Sequence, residues 1–332
     1  MQINQHISNS AYMHNLSSQK PQNFTSRNAM VRELDDIVRI TRREFPMSSH
    51  TYLEHHFNLR NDACKKMHKF NEGLIGEVRG FSSIDSKPNM RIIKSLETAK
   101  ELKVGNCNEY ARATYLACKL NGYDDVKFLS LFAYNPKTKK IRELDHAVVG
   151  FNFKKPTSVD VAGVPTNVYM RTNDGIVLDS WKGYTGFERE VTASFKNDRI
   201  FGKLKDGEVM CYRESGQMTG LKRDDLLYLK HKNPNLIKRP KFSLKDALRW
   251  LVMDKKQYEY EPMAKHIIET YRFNSGLKGA KTRDELTQFL TNKAYVSQRN
   301  AIIKMQEDMH EKHCPTAIIK NVLKQIGRKI FE

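Results

Sequence analysis

The strongest constraint on the fold is a change of hydrophobic period between Asn106 and Trp181. Asn106–Leu120 repeats its apolar residues at helical spacing and stops at Asn121-Gly122, a C-cap signal. The period then becomes that of strands. Val126–Tyr134 and Leu144–Phe153 are apolar runs separated by the turn Asn135-Pro136-Lys137-Thr138. A loop over 154–166, with Pro156, Gly163 and Pro165, leads to a third strand at Asn167–Arg171. Asn173-Asp174-Gly175 then signals a hairpin into a fourth strand at Ile176–Trp181. One helix followed by antiparallel strands predicts an α+β core.

Helical periods flank this core. Met30–Phe45 carries an apolar stripe stopped by Pro46, Thr51–Phe70 reads as a second helix and Arg91–Leu102 as a short third. Beyond it lie Leu244–Met253, Pro262–Tyr271, Thr282–Leu290, Ser297–Met309 and Pro315–Phe331. Four regions follow: a Ser/Asn/Gln-rich flexible leader (1–25), a helical region (26–102), an α+β core (103–215) and a basic helical region (216–332). His50, His55, His56 and His68 show no ligand spacing and read as solvent-facing helix residues, so no metal site and no cofactor is expected.

Composition sets the setting. No run of about 18 apolar residues occurs and no signal-peptide pattern opens the chain. Cys64, Cys107, Cys118, Cys211 and Cys314 are odd in number and scattered, as reduced thiols of a cytosol-like compartment would be. The net charge of +19 predicts anionic partners, and residues 222–332 hold 24 Lys and Arg against 13 Asp and Glu. Without an RNA- or DNA-binding motif, nucleic acid is disfavoured, leaving a protein with an acidic surface. A secondary expectation is an anionic membrane surface at helix 315–331, where Lys320, Lys324, Arg328 and Lys329 flank an apolar face.

Three short segments carry the chemistry. In Gly105-Asn106-Cys107-Asn108-Glu109, Asn106 is a good N-cap and Glu109 stands at capping-box spacing. Cys107 therefore falls at the first helical position, where free N–H groups and the helix dipole favour a thiolate. In Asp145-His146-Ala147-Val148-Val149, a histidine opens an apolar strand. In Val177-Leu178-Asp179-Ser180-Trp181, a carboxylate interrupts another, and its burial would cost several kcal/mol without a partner. His146 suits that partner: Asp179 would accept the Nδ1 proton and leave Nε2 facing the thiol. Trp181, two residues on, would shield the pair. Of the nearby amides, Asn106 and Asn108 are candidate oxyanion donors beside the Cys107 N–H. Cys118 reads as core.

Gly-Asn-Cys-x-Glu on a helix start, Asp-His-Ala-Val-Val on one strand and Val-Leu-Asp-Ser-Trp on the next resemble the papain-fold and transglutaminase-like superfamily, over residues 103–182. Within it they are most similar to the bacterial toxin and effector branch with glutamine deamidases. The chain departs in having Ser180 where many relatives have proline, and in a long His-to-Asp interval that the loop 154–166 would absorb. The resemblance implies a Cys-His-Asp acyl-transfer enzyme, a protein-glutamine deamidase or, alternatively, a cysteine protease. A third reading is a basic binding module without catalysis. The leader resembles those of bacterial proteins delivered into host cells without a cleaved signal.

Overall fold

The computed structural model describes residues 24–47, 49, 72–76, 78–79, 87–172, 174–196, 204–218, 220–238 and 243–258, with isolated positions between 296 and 304. The expected helix at 51–70 with its histidines, residues 1–23 of the leader and the helices beyond Pro262 lie outside the described residues, those isolated positions aside. Lys320, Lys324, Arg328 and Lys329 lie outside them as well.

A sheet ordered β6-β5-β2-β1-β7 forms the centre, with every neighbouring pair antiparallel. Its strands are β1 (Val126–Asn135), β2 (Lys140–Phe151), β5 (Ile176–Asp179), β6 (Tyr184–Phe187) and β7 (Val209–Glu214). The β1–β2 turn forms where expected, with Asn135 Oδ1 accepting from the Lys137 and Thr138 N–H groups at 3.0 and 3.1 Å. Two helices, α1 (Phe24–Glu44) and α3 (Cys107–Leu120), pack on each other and against the sheet, α3 on β2, β1 and β5 and α1 on β5 and β6. α2 (Pro88–Leu102) lies against α3 and opens with Pro88, which suits a first turn whose N–H is unpaired anyway.

The mixed α+β class follows from this alternation of helical and strand periods. Among the described residues, the helices outside 103–215 share the core of the sheet. Leu34, Ile37 and Val38 of α1, Ile93 and Leu96 of α2 and Leu227 and Leu229 of α5 (Arg223–Lys232) join Leu116, Val148, Val177 and Trp181 in one buried cluster. Each such side chain contributes about 1.5–3 kcal/mol of transfer free energy.

Two expectations fail between residues 154 and 176. The stretch read as a loop holds a hairpin, β3 (Thr157–Val161) and β4 (Val164–Val168), so the strand expected at Asn167–Arg171 starts earlier and ends at Val168, with Tyr169 adding a single bridge to Tyr212. Ala162-Gly163 turns the hairpin at φ 50° and 86°, and Ala is a poor advertisement for a left-handed position. Asn173 lies outside the described residues, but β5 pairs with β2 and β6 and not with β4, so the hairpin expected there does not join those two strands. The sequence reading assigns nothing to β6, α4 (Glu188–Lys196), β7 and α5. The helix expected at Leu244–Met253 forms as α6, Leu244–Val252.

Candidate active site

α3 begins at Cys107, with Asn106 at the N-cap in an extended conformation. Glu109 Oε2 accepts the Asn106 N–H at 2.9 Å, which is the carboxylate half of a capping box. The Asn106 side chain has another partner, since its Oδ1 accepts the Ser49 hydroxyl at 2.8 Å. Glu109 is only 1% exposed. Burial would raise its pKa, but the forked Arg79 contact (2.9 and 3.0 Å) and the Asn106 N–H outweigh burial and hold it below the usual carboxylate range. Arg79 thereby anchors the turn that carries Cys107. Asn108 sits at the next helical position, half-buried, with no side-chain hydrogen bond to these groups among the described residues.

His146 reaches the same place through an irregularity in β2. Ser130 pairs with Ala147 and Phe132 with Glu143, so one residue of β1 faces three of β2, Leu144 to His146. Asp145 takes φ 47° at this bulge, a left-handed conformation that aspartate tolerates better than most residues. The bulge re-aims the strand where the histidine stands. It also turns the Asp145 carbonyl toward the helix start, where it accepts from Cys107 Sγ at 3.8 Å.

The His146 ring and the Asp179 carboxylate are both buried and meet at 2.7 Å. The contacting nitrogen is Nε2, so the expected orientation is reversed: Asp179 engages Nε2 and Nδ1 is left for the sulfur. The bulge accounts for this by presenting the ring's far edge to β5. Burial alone would depress the His146 pKa. The charge and hydrogen bond of Asp179, followed by the hydrogen bond and charge of Cys107, outweigh burial and raise it from 6.5 to about 9. The second Asp179 oxygen accepts the Lys182 N–H at 3.0 Å, so both carboxylate oxygens are engaged.

Aromatic rings close the pair off. Trp181 lies 5.1 Å from His146, ring centre to ring centre, and Phe195 of α4 meets the imidazole edge-on at 5.7 Å. The Trp181 indole N–H donates to Ser49 Oγ at 2.6 Å. Ser49 therefore links Trp181 to Asn106: it accepts from the indole and donates to the amide oxygen, which leaves the Asn106 Nδ2 hydrogens free to point elsewhere. The turn after Asp179 is tied twice. Buried Arg42 of α1 donates to the Ser180 and Trp181 carbonyls, and the Ser180 hydroxyl hydrogen-bonds Thr114 on the helix that carries Cys107.

Cys107, His146, Asp179, Asn106 and Trp181 thus converge from α3, β2 and β5, while Asn108 joins no contact among them. Ser49, Arg79, Arg42 and Phe195 also belong to the assembly. Sequence reasoning missed all four, because the cap role given to Glu109 left no signal that a distant cation pairs with it. Cys118 and Cys211 are buried, and loss of solvation pushes each thiol up to about 12, so neither competes as a nucleophile. Among the described residues no three or more His, Cys, Asp or Glu gather as metal ligands, and no helix is long and apolar enough to cross a membrane. Comparison with protein families, curated proteins and solved structures gives no match.

Proposed function

We propose that the protein is a cysteine-dependent acyl-transfer enzyme with a papain-like or transglutaminase-like core, acting on a side-chain amide of a protein substrate. One observation carries the reading: a buried imidazole held between a carboxylate and a partly exposed thiol at a helix N-terminus. A structural histidine needs no thiol there, and a structural cysteine needs no buried carboxylate on the far side of the imidazole.

Chemically, Cys107 Sγ attacks the glutamine carboxamide carbon as a thiolate while His146 stands protonated. The oxyanion is received by the Cys107 backbone N–H and by Asn106 Nδ2, which Ser49 holds by occupying the amide oxygen. His146 Nδ1–H passes its proton to the departing nitrogen, releasing ammonia and leaving a thioester. Water then attacks the thioester carbon as Nδ1 takes its proton, and glutamate leaves as the sulfur regains its electron pair. Asp179 holds the ring throughout and balances its charge. These steps call on no metal and no organic cofactor.

Deamidation is favoured by the motif resemblance to bacterial effectors. Proteolysis uses the same steps on a backbone amide and is the second reading. The +19 charge would steer an acidic substrate surface to the site, with a rate that falls as ionic strength rises. Incubating the protein and Cys107→Ala with host-cell lysate, followed by peptide mass spectrometry, separates the outcomes. Glutamine-to-glutamate conversion in uncleaved chains supports deamidation. Cys107-dependent new termini without altered glutamine support a protease, and no Cys107-dependent change of either kind removes the proposal.

A further inference from the structure

α6 is docked with the wrong side inward for an ordinary surface helix. Amphipathic helices bury their apolar stripe and leave polar side chains in water. Here Leu244, Leu248, Leu251 and Val252 share one face and are 56% to 81% exposed. They make up four of the five large apolar side chains most exposed among the described residues, and no residue of the helix is buried.

Polar contacts account for the orientation. Arg249 forks onto Asp224 of α5 at 2.7 and 2.8 Å, and Asp246 meets Arg223 and Lys230, each at 3.2 Å. Trp250 stacks on His231 with ring centres 3.7 Å apart. At the start of the helix, Ser243 Oγ accepts the Asp246 N–H at 3.2 Å. The helix is therefore capped and held by its polar side, and its leucines face outward in consequence.

The surroundings state the charge of the occupant. Arg223, Lys245 and Arg249 line a shallow open depression together with Leu248, Leu251 and Val252, and the carboxylates that pair with Arg223 and Arg249, Asp246 and Asp224, stand outside that lining. Residues 222–258 hold 11 Lys and Arg against 4 Asp and Glu. The surface thus asks for apolar groups beneath an anionic plane, which is what the acyl and headgroup layers of an acidic bilayer present together. We propose that the outer face of α6 is a docking surface for anionic lipid membranes, with Leu248, Leu251 and Val252 entering the acyl boundary and Arg223 and Lys245 at the headgroups. This is a different surface from the Cys107 site and does not depend on it.

Sedimentation of the full chain with vesicles tests the assignment, using phosphatidylcholine alone and phosphatidylcholine with about one-third phosphatidylserine. Binding is expected only with phosphatidylserine, at least tenfold weaker for Leu248→Glu/Leu251→Glu, weaker for Lys245→Gln and reduced by added salt. Cys107→Ala should bind as the unaltered protein does, whatever its activity. The proposal is overturned by absence of binding to the acidic vesicles, or by binding that the double Glu variant leaves unchanged, which would place contact elsewhere in the chain. Lowered thermal stability of that variant would show the face covered by protein and would overturn it too. So would a stable dimer that the same substitutions disperse.

Discussion

Asp179→Asn isolates the electrostatics of the buried pair. In the native protein His146 is raised from 6.5 to about 9, because the charge and hydrogen bond of Asp179, with a smaller part from Cys107, overcome the burial that would lower it. The folded-state pKa lies above the unfolded one, so the pair's contribution to stability is complete below about pH 6.5. It is lost as pH rises through about 9. At about 1.4 kcal/mol per tenfold change in proton affinity, the gap between those values is worth on the order of 3 kcal/mol. Asparagine is nearly isosteric but carries no charge, leaving burial to dominate. The stability difference between native protein and Asp179→Asn, from urea unfolding, should therefore shrink by on the order of 3 kcal/mol between pH 6 and pH 10. Comparing the two proteins at each pH cancels the titration of other groups. The His146 resonance should titrate near pH 9 in the native protein and well below it in the variant. A stability difference that stays constant over this range, or an imidazole that keeps its high pKa without Asp179, would refute the reasoning.

Four further outcomes follow from particular contacts. Iodoacetamide near neutral pH should label Cys107 before Cys118 and Cys211, read by peptide mapping, because the latter two are buried with thiols pushed up to about 12. Ser49→Ala should shift the Trp181 indole N–H resonance and lower kcat more than it raises KM. Asn106→Ala should lower kcat by about 10² to 10³, the usual loss for one oxyanion donor. Gly150→Ala should cost roughly 1–3 kcal/mol in thermal or urea unfolding, since an added Cβ on β2 would collide with Leu129 and press on the Phe153 ring.

The local features of the site were readable and its distant supports were not. α3 and its Glu109 cap contact, both ends of the β1–β2 turn and the trio Cys107, His146 and Asp179 all carry signals within a few residues of chain. Ser49 meets Asn106 across 57 residues, and Arg42 meets Ser180 across 138. Such contacts leave no periodicity behind them. β6 is four residues long and contains Gly186, so it offers almost no alternation, and the β3–β4 hairpin lacks the Asn-Gly or Asp-Gly pair that would have announced it. The imidazole orientation was misjudged for a local reason that sequence hides, the bulge at Leu144–His146. Charge predicted a basic partner surface in the last third of the chain, but only the placement of α5 against α6 turned four apolar residues outward.

The central claim, that Cys107 forms a thioester with a substrate amide, is tested most directly by trapping it. Once a modified protein has been found, acid quenching during turnover and denaturing electrophoresis should reveal an enzyme–substrate conjugate that hydroxylamine cleaves. Mass spectrometry should place the linkage on the peptide containing Cys107, and Cys107→Ala should yield neither conjugate nor turnover. Turnover by Cys107→Ala at the native rate would contradict the account.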